Sequence, residues 1–130
     1  MHVKDILEKI PAHAHPMDVM RTVSSIMGTF EPEDSKENNQ ISISVRLVAL
    51  FGPCLLYWHH FHRSGLRLDG YTGPSDTVAL NFMKLLTLKL KPEDGEVHPE
   101  IVKTVDVSLI LYAEHDYNAS TFAARVTAST

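Results

Sequence analysis

The chain has 130 residues, of which 44% are hydrophobic and 22% charged, and its formal net charge is -4. This size and composition are typical of one globular domain, and the acidic balance argues against a nucleic-acid-binding protein, which would normally show a basic face. The one cysteine, Cys54, excludes an internal disulfide framework and is expected to be a buried apolar residue in a reducing compartment. The amphipathic, charged start is not typical of a secretory signal, and the longest apolar run, Leu47 to Trp58, is too short to span a bilayer.

The first two predicted elements are short helices. Apolar residues recur at helical spacing from Val3 to Ile10, and Pro11 ends the pattern. The stretch "HPMDVMRTVSSIMG" predicts a second helix, with Pro16 in its first turn and Gly28 at its C-terminus.

The middle of the chain is the most apolar part. From Ile41 the run "ISISVRLVALFGPCLLYWHHFHRSG" is long enough to favour a helix, kinked at Gly52-Pro53 and ended at Ser64-Gly65. Taken alone, "ISISV" alternates like a strand, and "VDVSLIL" near Val105 does the same. The pattern therefore favours helices and leaves strands open at these two places.

Three more helices complete the prediction. The stretch "TVALNFMKLLTLKL" follows a turn-rich loop, and after a second loop two helices are expected, from Glu100 to about His115 and from Ala119 to the end. The total is six helices with no internal repeat.

Two groups of histidines raise the question of a metal site. His59, His60 and His62 lie together near the end of the long helix, but no carboxylate or thiol falls at ligand spacing. A partly exposed, cationic helix end is the better interpretation. His13 and His15 give an equally weak signal, so no metal site is predicted.

Polar residues cluster in "LYAEHDYNAST", directly after the apolar run "VSLIL". Asn118 precedes "ASTFAARV" and is expected to cap that helix by accepting from free backbone amides. A junction between two buried helices, with unpaired amides and the imidazole of His115 as donors, could hold an anion. Alternatively, His115 and Asn118 only satisfy each other and the two helix ends.

Two separated motifs, "AHPMDVMRT" and "LYAEHDYNASTFAARV", together resemble the citrate synthase family, most closely its 2-methylcitrate synthase branch. The long run between them is similar to the family's long helix with a central proline, so the resemblance covers nearly the whole chain. It implies an all-α, multi-helical fold, with residues 1–130 forming part of the family's large domain, and helices in place of the two strand-like stretches.

The resemblance also implies an activity. The family joins the α-carbon of an acyl-CoA to the ketone of oxaloacetate and then hydrolyses the thioester. His115 matches the histidine that hydrogen-bonds the ketone, and Asn118 matches an asparagine beside the same substrate. At position 112, ordinary citrate synthases often carry histidine, whereas the tyrosine found here is similar to the methylcitrate branch. Tyr112 is therefore expected to shape the acyl pocket. Acyl-CoA is a substrate, and no cofactor is expected.

The resemblance has a limit at both ends of the chain. The family's N-terminal region has no counterpart here, and its catalytic histidine, catalytic aspartate and most substrate-clamping arginines come after the segment matching "ARVTAST". No catalytic residue is therefore expected within residues 1–130, and these residues alone are expected to be inactive and to self-associate.

Three interpretations follow. The first is a segment of a 2-methylcitrate synthase acting on propionyl-CoA, and the second is a segment of a citrate synthase using acetyl-CoA. The third is a non-catalytic helical assembly module. The expected partners are oxaloacetate, acyl-CoA and a second copy of the chain, with no nucleic acid and no membrane. The expected location is the cytoplasm in a bacterium or the mitochondrial matrix in a eukaryote.

Overall fold

The computed structural model describes residues 2–33, 39–69, 73–114, 116 and 118–129. These residues form six α-helices and no strand, which confirms the all-α prediction and its count. The helices are α1 (His2–Leu7), α2 (Pro16–Phe30), α3 (Gln40–Ser64), α4 (Val78–Thr87), α5 (Pro99–Ala113) and α6 (Ala119–Ala128), and a short 3-10 helix spans Pro92–Asp94.

The chain divides into two compact units, Met1–Val97 and His98–Thr130. In the first unit, α3 packs against α1, α2 and α4, and α1 also packs against α2. Burying a leucine or valine side chain contributes about 1.5–3 kcal/mol, so this cluster supplies much of the unit's stability. The core cluster consists of Leu7, Val19, Val23, Cys54, Leu56, Tyr57, Trp58, Leu68 and Leu85.

Cys54 lies in this core, as predicted, and burial raises the pKa of its thiol. The protonated thiol is a poor nucleophile, which agrees with a packing role for this residue.

The start of α2 agrees with the prediction and its end does not. His15 precedes Pro16 and caps the helix, because its Nδ1 accepts from the backbone N–H of Met17 at 3.2 Å. The helix continues past Gly28 to Phe30, so the predicted stop was two residues short. A glycine inside a helix costs about 1 kcal/mol, which tertiary packing readily outweighs.

The long helix α3 begins and ends with local signals. The side chain of Asn39 accepts from two backbone amides of the first turn, and Gly65 ends the helix in the left-handed conformation with φ of 72°. The Ser64-Gly65 stop is therefore confirmed.

Helix α3 is longer than the apolar run from Leu47 to Trp58, on which the sequence analysis based its expectation that no segment spans a bilayer. With 25 residues, this helix is long and apolar enough to cross a bilayer by length and composition alone. A core helix passes the same test, and the C-terminal half of α3 supplies Leu56 and Tyr57 to the core cluster.

The histidines at the end of α3 connect neighbouring helices. The ring nitrogen Nε2 of His60 lies 2.9 Å from the carbonyl oxygen of Leu85, and Nε2 of His62 lies 3.2 Å from that of Leu7. Each carbonyl belongs to the last turn of its helix, where carbonyl groups lack the usual donor four residues on. The carbonyl of Leu7 also accepts from the backbone N–H of Ile10 at 3.3 Å. The two imidazoles thus contact the C-terminal turns of α4 and α1.

The helix end is partly exposed, as expected, with Arg63 exposed and His59 and His62 half-buried. His60 is buried, and burial together with the nearby positive groups of His60 and Arg63 lowers the pKa of His59. The sequence pattern missed these contacts because they join residues 25 and 55 positions apart.

A polar cluster fastens the segment after α3 to α1. Glu8 makes two hydrogen bonds with the guanidinium of Arg67, at 2.7 and 2.9 Å, and accepts a third from the hydroxyl of Tyr57 at 2.7 Å. Hydrogen bonds from Arg67 and Tyr57 lower the pKa of Glu8 to about 2. Burial and the bond to Glu8 raise the pKa of Tyr57 to about 12.

Glu8 is expected to make the first unit sensitive to acid. Its pKa is about 2 in the folded state against an ordinary 4.5. The carboxylate therefore stabilises the fold fully above about pH 4.5, and this contribution disappears as the pH falls towards 2. The difference in unfolding free energy between wild type and Glu8→Gln should shrink across that window when measured by denaturant titration. The exposed Glu33→Gln variant is the control, and an unchanged Glu8→Gln difference from pH 6 to pH 2 would contradict the assignment.

The second unit contains α5 and α6, and neither helix has a buried residue among those the structure describes. Ile110, Leu111 and Phe122 expose 65%, 69% and 63% of their surface. The sequence analysis expected two buried helices here, and within this chain they are exposed. Large exposed apolar patches on proteins are usually contact sites, so we expect these side chains to pack against another surface.

Candidate functional site

The candidate site is the short connection between α5 and α6. Helix α5 ends at Ala113 and α6 begins at Ala119, close to the predicted boundaries. His98 begins α5 as His15 begins α2, because its Nδ1 accepts from the backbone N–H of Glu100 at 3.3 Å. The polar residues of the connection thus lie at a junction between two helix ends.

Asn118 caps α6, as the sequence predicted. Its side-chain oxygen accepts hydrogen bonds from the backbone amides of Ser120 and Thr121, at 2.8 and 3.1 Å. A cap of this kind contributes about 1 kcal/mol to helix stability. The side-chain nitrogen of Asn118, with its two N–H groups, takes no part in these bonds and is oriented by them.

The cap corrects one feature of the predicted anion site. The sequence analysis expected unpaired amides at the start of α6, but Asn118 already satisfies those of Ser120 and Thr121. An anion at this junction would therefore depend more on side-chain donors than on these two amides.

A hydrogen bond links Glu114 and Asp116, the described residues on either side of position 115. Asp116 has a φ of 51°, which is uncommon for a residue with a side chain. The carboxylate of Glu114 accepts a hydrogen bond from the backbone N–H of Asp116, with 2.9 Å between Oε1 and N. Sequence reasoning gave Glu114 no role.

The predicted site residues have different outcomes. Tyr112 is 88% exposed in the last turn of α5, three positions before residue 115. His115 lies outside the described residues, so its predicted role stays a prediction. Asn118 is in place at the start of α6. All three belong to one connection and the adjoining turn of α5.

In the described part of the chain, no group of three or more histidine, cysteine or acidic side chains could hold a metal ion. His15 and His98 use Nδ1 to cap helices, and His60 and His62 bond to carbonyl groups. Three of the histidines that raised the question of a metal, His15, His60 and His62, thus have other partners.

Among the described residues of the junction, Asn118 and Tyr112 offer neutral groups, and Glu114 and Asp116 are acidic. The N–H groups of Asn118 can bind carboxylate or carbonyl oxygens, and the exposed ring of Tyr112 can contact an apolar group.

The described residues form an all-α fold, and the sequence identifies the family to which it belongs. The sequence matches the citrate synthase C-terminal domain over residues 1–130, and the chain belongs to the citrate synthase family.

Several curated proteins are similar to this chain. A 2-methylcitrate synthase of Shewanella oneidensis is 48% identical over 128 residues, which cover 98% of this chain and 32% of that protein. A citrate synthase-related protein of Dictyostelium discoideum is 44% identical over 140 residues, covering 98% of this chain and 33% of the relative. A citrate synthase of Synechocystis is 36% identical over 133 residues, which cover 99% of this chain and 31% of that protein. The chain thus spans about a third of the length of these relatives.

Proposed function

We propose that residues 1–130 form part of a 2-methylcitrate synthase, which condenses propionyl-CoA with oxaloacetate. The 48% identity with the Shewanella oneidensis 2-methylcitrate synthase over nearly the whole chain carries this proposal. The segment would supply one side of the oxaloacetate pocket and part of a homodimer interface. The base that removes the α-proton and most of the arginines that bind carboxylates would come from other parts of the enzyme.

In this proposal the connection between α5 and α6 contacts oxaloacetate. His115 donates a hydrogen bond to the ketone oxygen, which gains negative charge as the new carbon–carbon bond forms. Asn118 donates through its side-chain nitrogen to the same substrate. The cap supports this role, because the bonds to Ser120 and Thr121 fix the orientation of the amide before substrate binds.

The chemistry proceeds in two stages. A base removes a proton from the α-carbon of propionyl-CoA, and the resulting enolate carbon attacks the ketone carbon of oxaloacetate. The ketone oxygen then takes a proton, and water cleaves the thioester to release CoA and 2-methylcitrate. The residues proposed here act at the ketone, and they bind and polarise it without taking part in proton removal.

A thiol-release assay on the complete enzyme tests the substrate proposal. Propionyl-CoA with oxaloacetate should give a higher kcat/KM than acetyl-CoA with oxaloacetate. A clear preference for acetyl-CoA would favour the alternative, a citrate synthase, for which the similarity to the Synechocystis enzyme is the supporting observation. Release that does not depend on oxaloacetate would contradict both.

Tyr112 is proposed to shape the acyl pocket, and its 88% exposed side chain is free to do so. Replacing Tyr112 by histidine should lower the preference for propionyl-CoA over acetyl-CoA. One methylene in an apolar pocket is worth about 1–3 kcal/mol, so the ratio of kcat/KM values should change by about 10-fold or more. The ratio of the two kcat/KM values is the measurement.

Tyr112→Phe is the matched control, because it keeps the aromatic ring and removes only the hydroxyl. It should retain most of the preference. If Tyr112→His leaves the ratio unchanged, Tyr112 does not contribute to acyl selection.

A second candidate function is helical assembly without catalysis. The exposed apolar side chains of α5 and α6, among them Ile110 and Phe122, favour it, because they could pair with a partner's helices. Oxaloacetate-dependent CoA release by the complete protein would reject assembly as its only function.

A further inference from the structure

The first unit contains a cavity of about 250 Å³ between α1, α3 and α4, which the proposed function does not use. We propose that this cavity is a binding site for a small, neutral, apolar molecule of about the size of a benzene ring. The proposal does not depend on the oxaloacetate contacts described above.

The cavity is recessed into the packing of the three helices. Leu7 and Leu85 line it, and each is only 1% exposed. Val3, Leu50 and Pro53 also line it and are half-buried, and none of the lining residues that the structure describes is exposed. The surface of a second chain would pack mainly against exposed side chains. A concave, mostly apolar recess is instead typical of small-molecule sites.

The polar side chains at the cavity are paired within the chain. The ammonium group of Lys4 donates to the carbonyl oxygen of Leu68 at 2.9 Å and to the carboxylate of Asp69 at 3.2 Å. It also lies 5.1 Å from the centre of the Tyr57 ring. The hydroxyl of Tyr57 donates to Glu8 at 2.7 Å. A charged ligand would have to compete with these contacts and lose its own hydration, which is costly, so we infer a neutral ligand.

The remaining lining indicates the size and chemistry of the ligand. Aliphatic side chains, among them Leu7 and Leu50, supply apolar contacts, and the ring of Tyr57 can contact an aromatic one. The thiol of Cys54 also lines the cavity and is a weak hydrogen-bonding group. Apolar cavities of about 150 Å³ bind benzene, so this larger cavity has room for such a molecule.

Thermal unfolding of the 130-residue chain with benzene as the probe tests the site. Benzene would contact α1, α3 and α4 together, and a ligand that binds only the folded state stabilises it. The unfolding midpoint should rise by about 5 °C or more when free benzene is about ten times its Kd. Benzoate, which has the same ring and a negative charge, is the control and should not raise the midpoint. An equal rise with benzoate would overturn the neutral ligand class.

Cys54 reports occupancy directly, because it is the one cysteine of the chain and it lines the cavity. A small neutral thiol reagent, methyl methanethiosulfonate, would reach the thiol through the space that benzene fills. The reaction is followed at alkaline pH, since burial raises the pKa of this thiol. Labelling should slow by about 10-fold when free benzene is about ten times its Kd, because only empty cavities react. A labelling rate that benzene leaves unchanged would overturn the inference.

Filling the cavity provides a matched pair of variants. Val3→Phe adds a ring at the cavity from α1 and should abolish the protection of Cys54 by benzene. Val107→Phe adds the same ring at a 45% exposed position of α5 and should respond like wild type. Circular dichroism shows whether Val3→Phe is folded, and Leu50→Phe, which fills the cavity from α3, replaces it if it is not. A folded, filled variant in which benzene still protects Cys54 would overturn the site, and loss of protection would support it.

Discussion

Replacing His115 by alanine in the complete synthase is expected to slow turnover by about 10²-fold or more, as for loss of a donor to a developing oxyanion. Oxaloacetate binding should weaken as well, because the ketone loses a hydrogen-bond donor in the bound state. Steady-state kinetics with oxaloacetate varied at saturating propionyl-CoA measures both effects. Near-normal kinetics would remove His115 from the substrate site.

A companion variant separates binding from folding at the same junction. Asn118→Asp keeps a side-chain oxygen that can cap α6, so the helix should remain formed. It replaces the amide donor with a negative charge, which should oppose an anionic substrate. We therefore expect unchanged circular dichroism together with a higher KM for oxaloacetate. An unchanged KM would limit Asn118 to its capping role.

Residues 1–130 tested alone are expected to show no synthase turnover and to self-associate. Donors at the ketone cannot replace the base that removes the α-proton, and that base is proposed to lie elsewhere in the enzyme. The exposed apolar surface of α5 and α6 should drive association. A thiol-release assay with propionyl-CoA and oxaloacetate tests the chemistry, and sedimentation velocity measures the association state.

Single substitutions identify the surface responsible. Ile110 is 65% exposed, and Ile110→Glu should shift the chain towards monomer. Lys103→Glu introduces the same residue at an exposed polar position of α5 and should leave association unchanged. A wild-type chain that sediments as a monomer would contradict the predicted self-association. Oxaloacetate-dependent CoA release by residues 1–130 would contradict the predicted lack of turnover.

The sequence predicted most of the fold. The choice between helix and strand stayed open only where an alternating pattern competes with a helical one. The stretches at 41–45 and 105–111 alternate over a few residues, as strands do, yet both are helical. Alternation over so short a run cannot distinguish a strand from a helix with apolar side chains on several faces. The resemblance to a helical family decided between them, and the structure agrees.

Local signals predicted helix ends better than they predicted packing. Asn118 and Gly65 act within a few residues of their own positions, so their roles as caps could be read from the sequence. The bonds of His60 and His62 join distant segments, and Glu8 meets Arg67 across 59 positions. Contacts of this kind depend on how the helices pack, and local sequence patterns do not reveal that packing.

In the candidate site, too, only part of the local structure could be predicted from the sequence. The cap at Asn118 was predicted, whereas the left-handed Asp116 and the bond from its amide to Glu114 were not. Aspartate tolerates this backbone conformation only somewhat better than other residues, so its presence gave no firm signal. Both features became visible only through the φ angle of Asp116 and the distance from its amide to the carboxylate of Glu114.

The two imidazoles near the end of α3 have a consequence for shortened forms of this protein. Removing the first eight residues would take away the carbonyl of Leu7 that His62 contacts and the carboxylate that binds Arg67 and Tyr57. The buried Tyr57 would then lose the acceptor of its hydroxyl, and a buried polar group is costly to leave unpaired. Helix α1 has only six residues, but it completes the packing of α3. A protein engineer seeking a smaller helical scaffold should therefore shorten the exposed α6 end before the N-terminus.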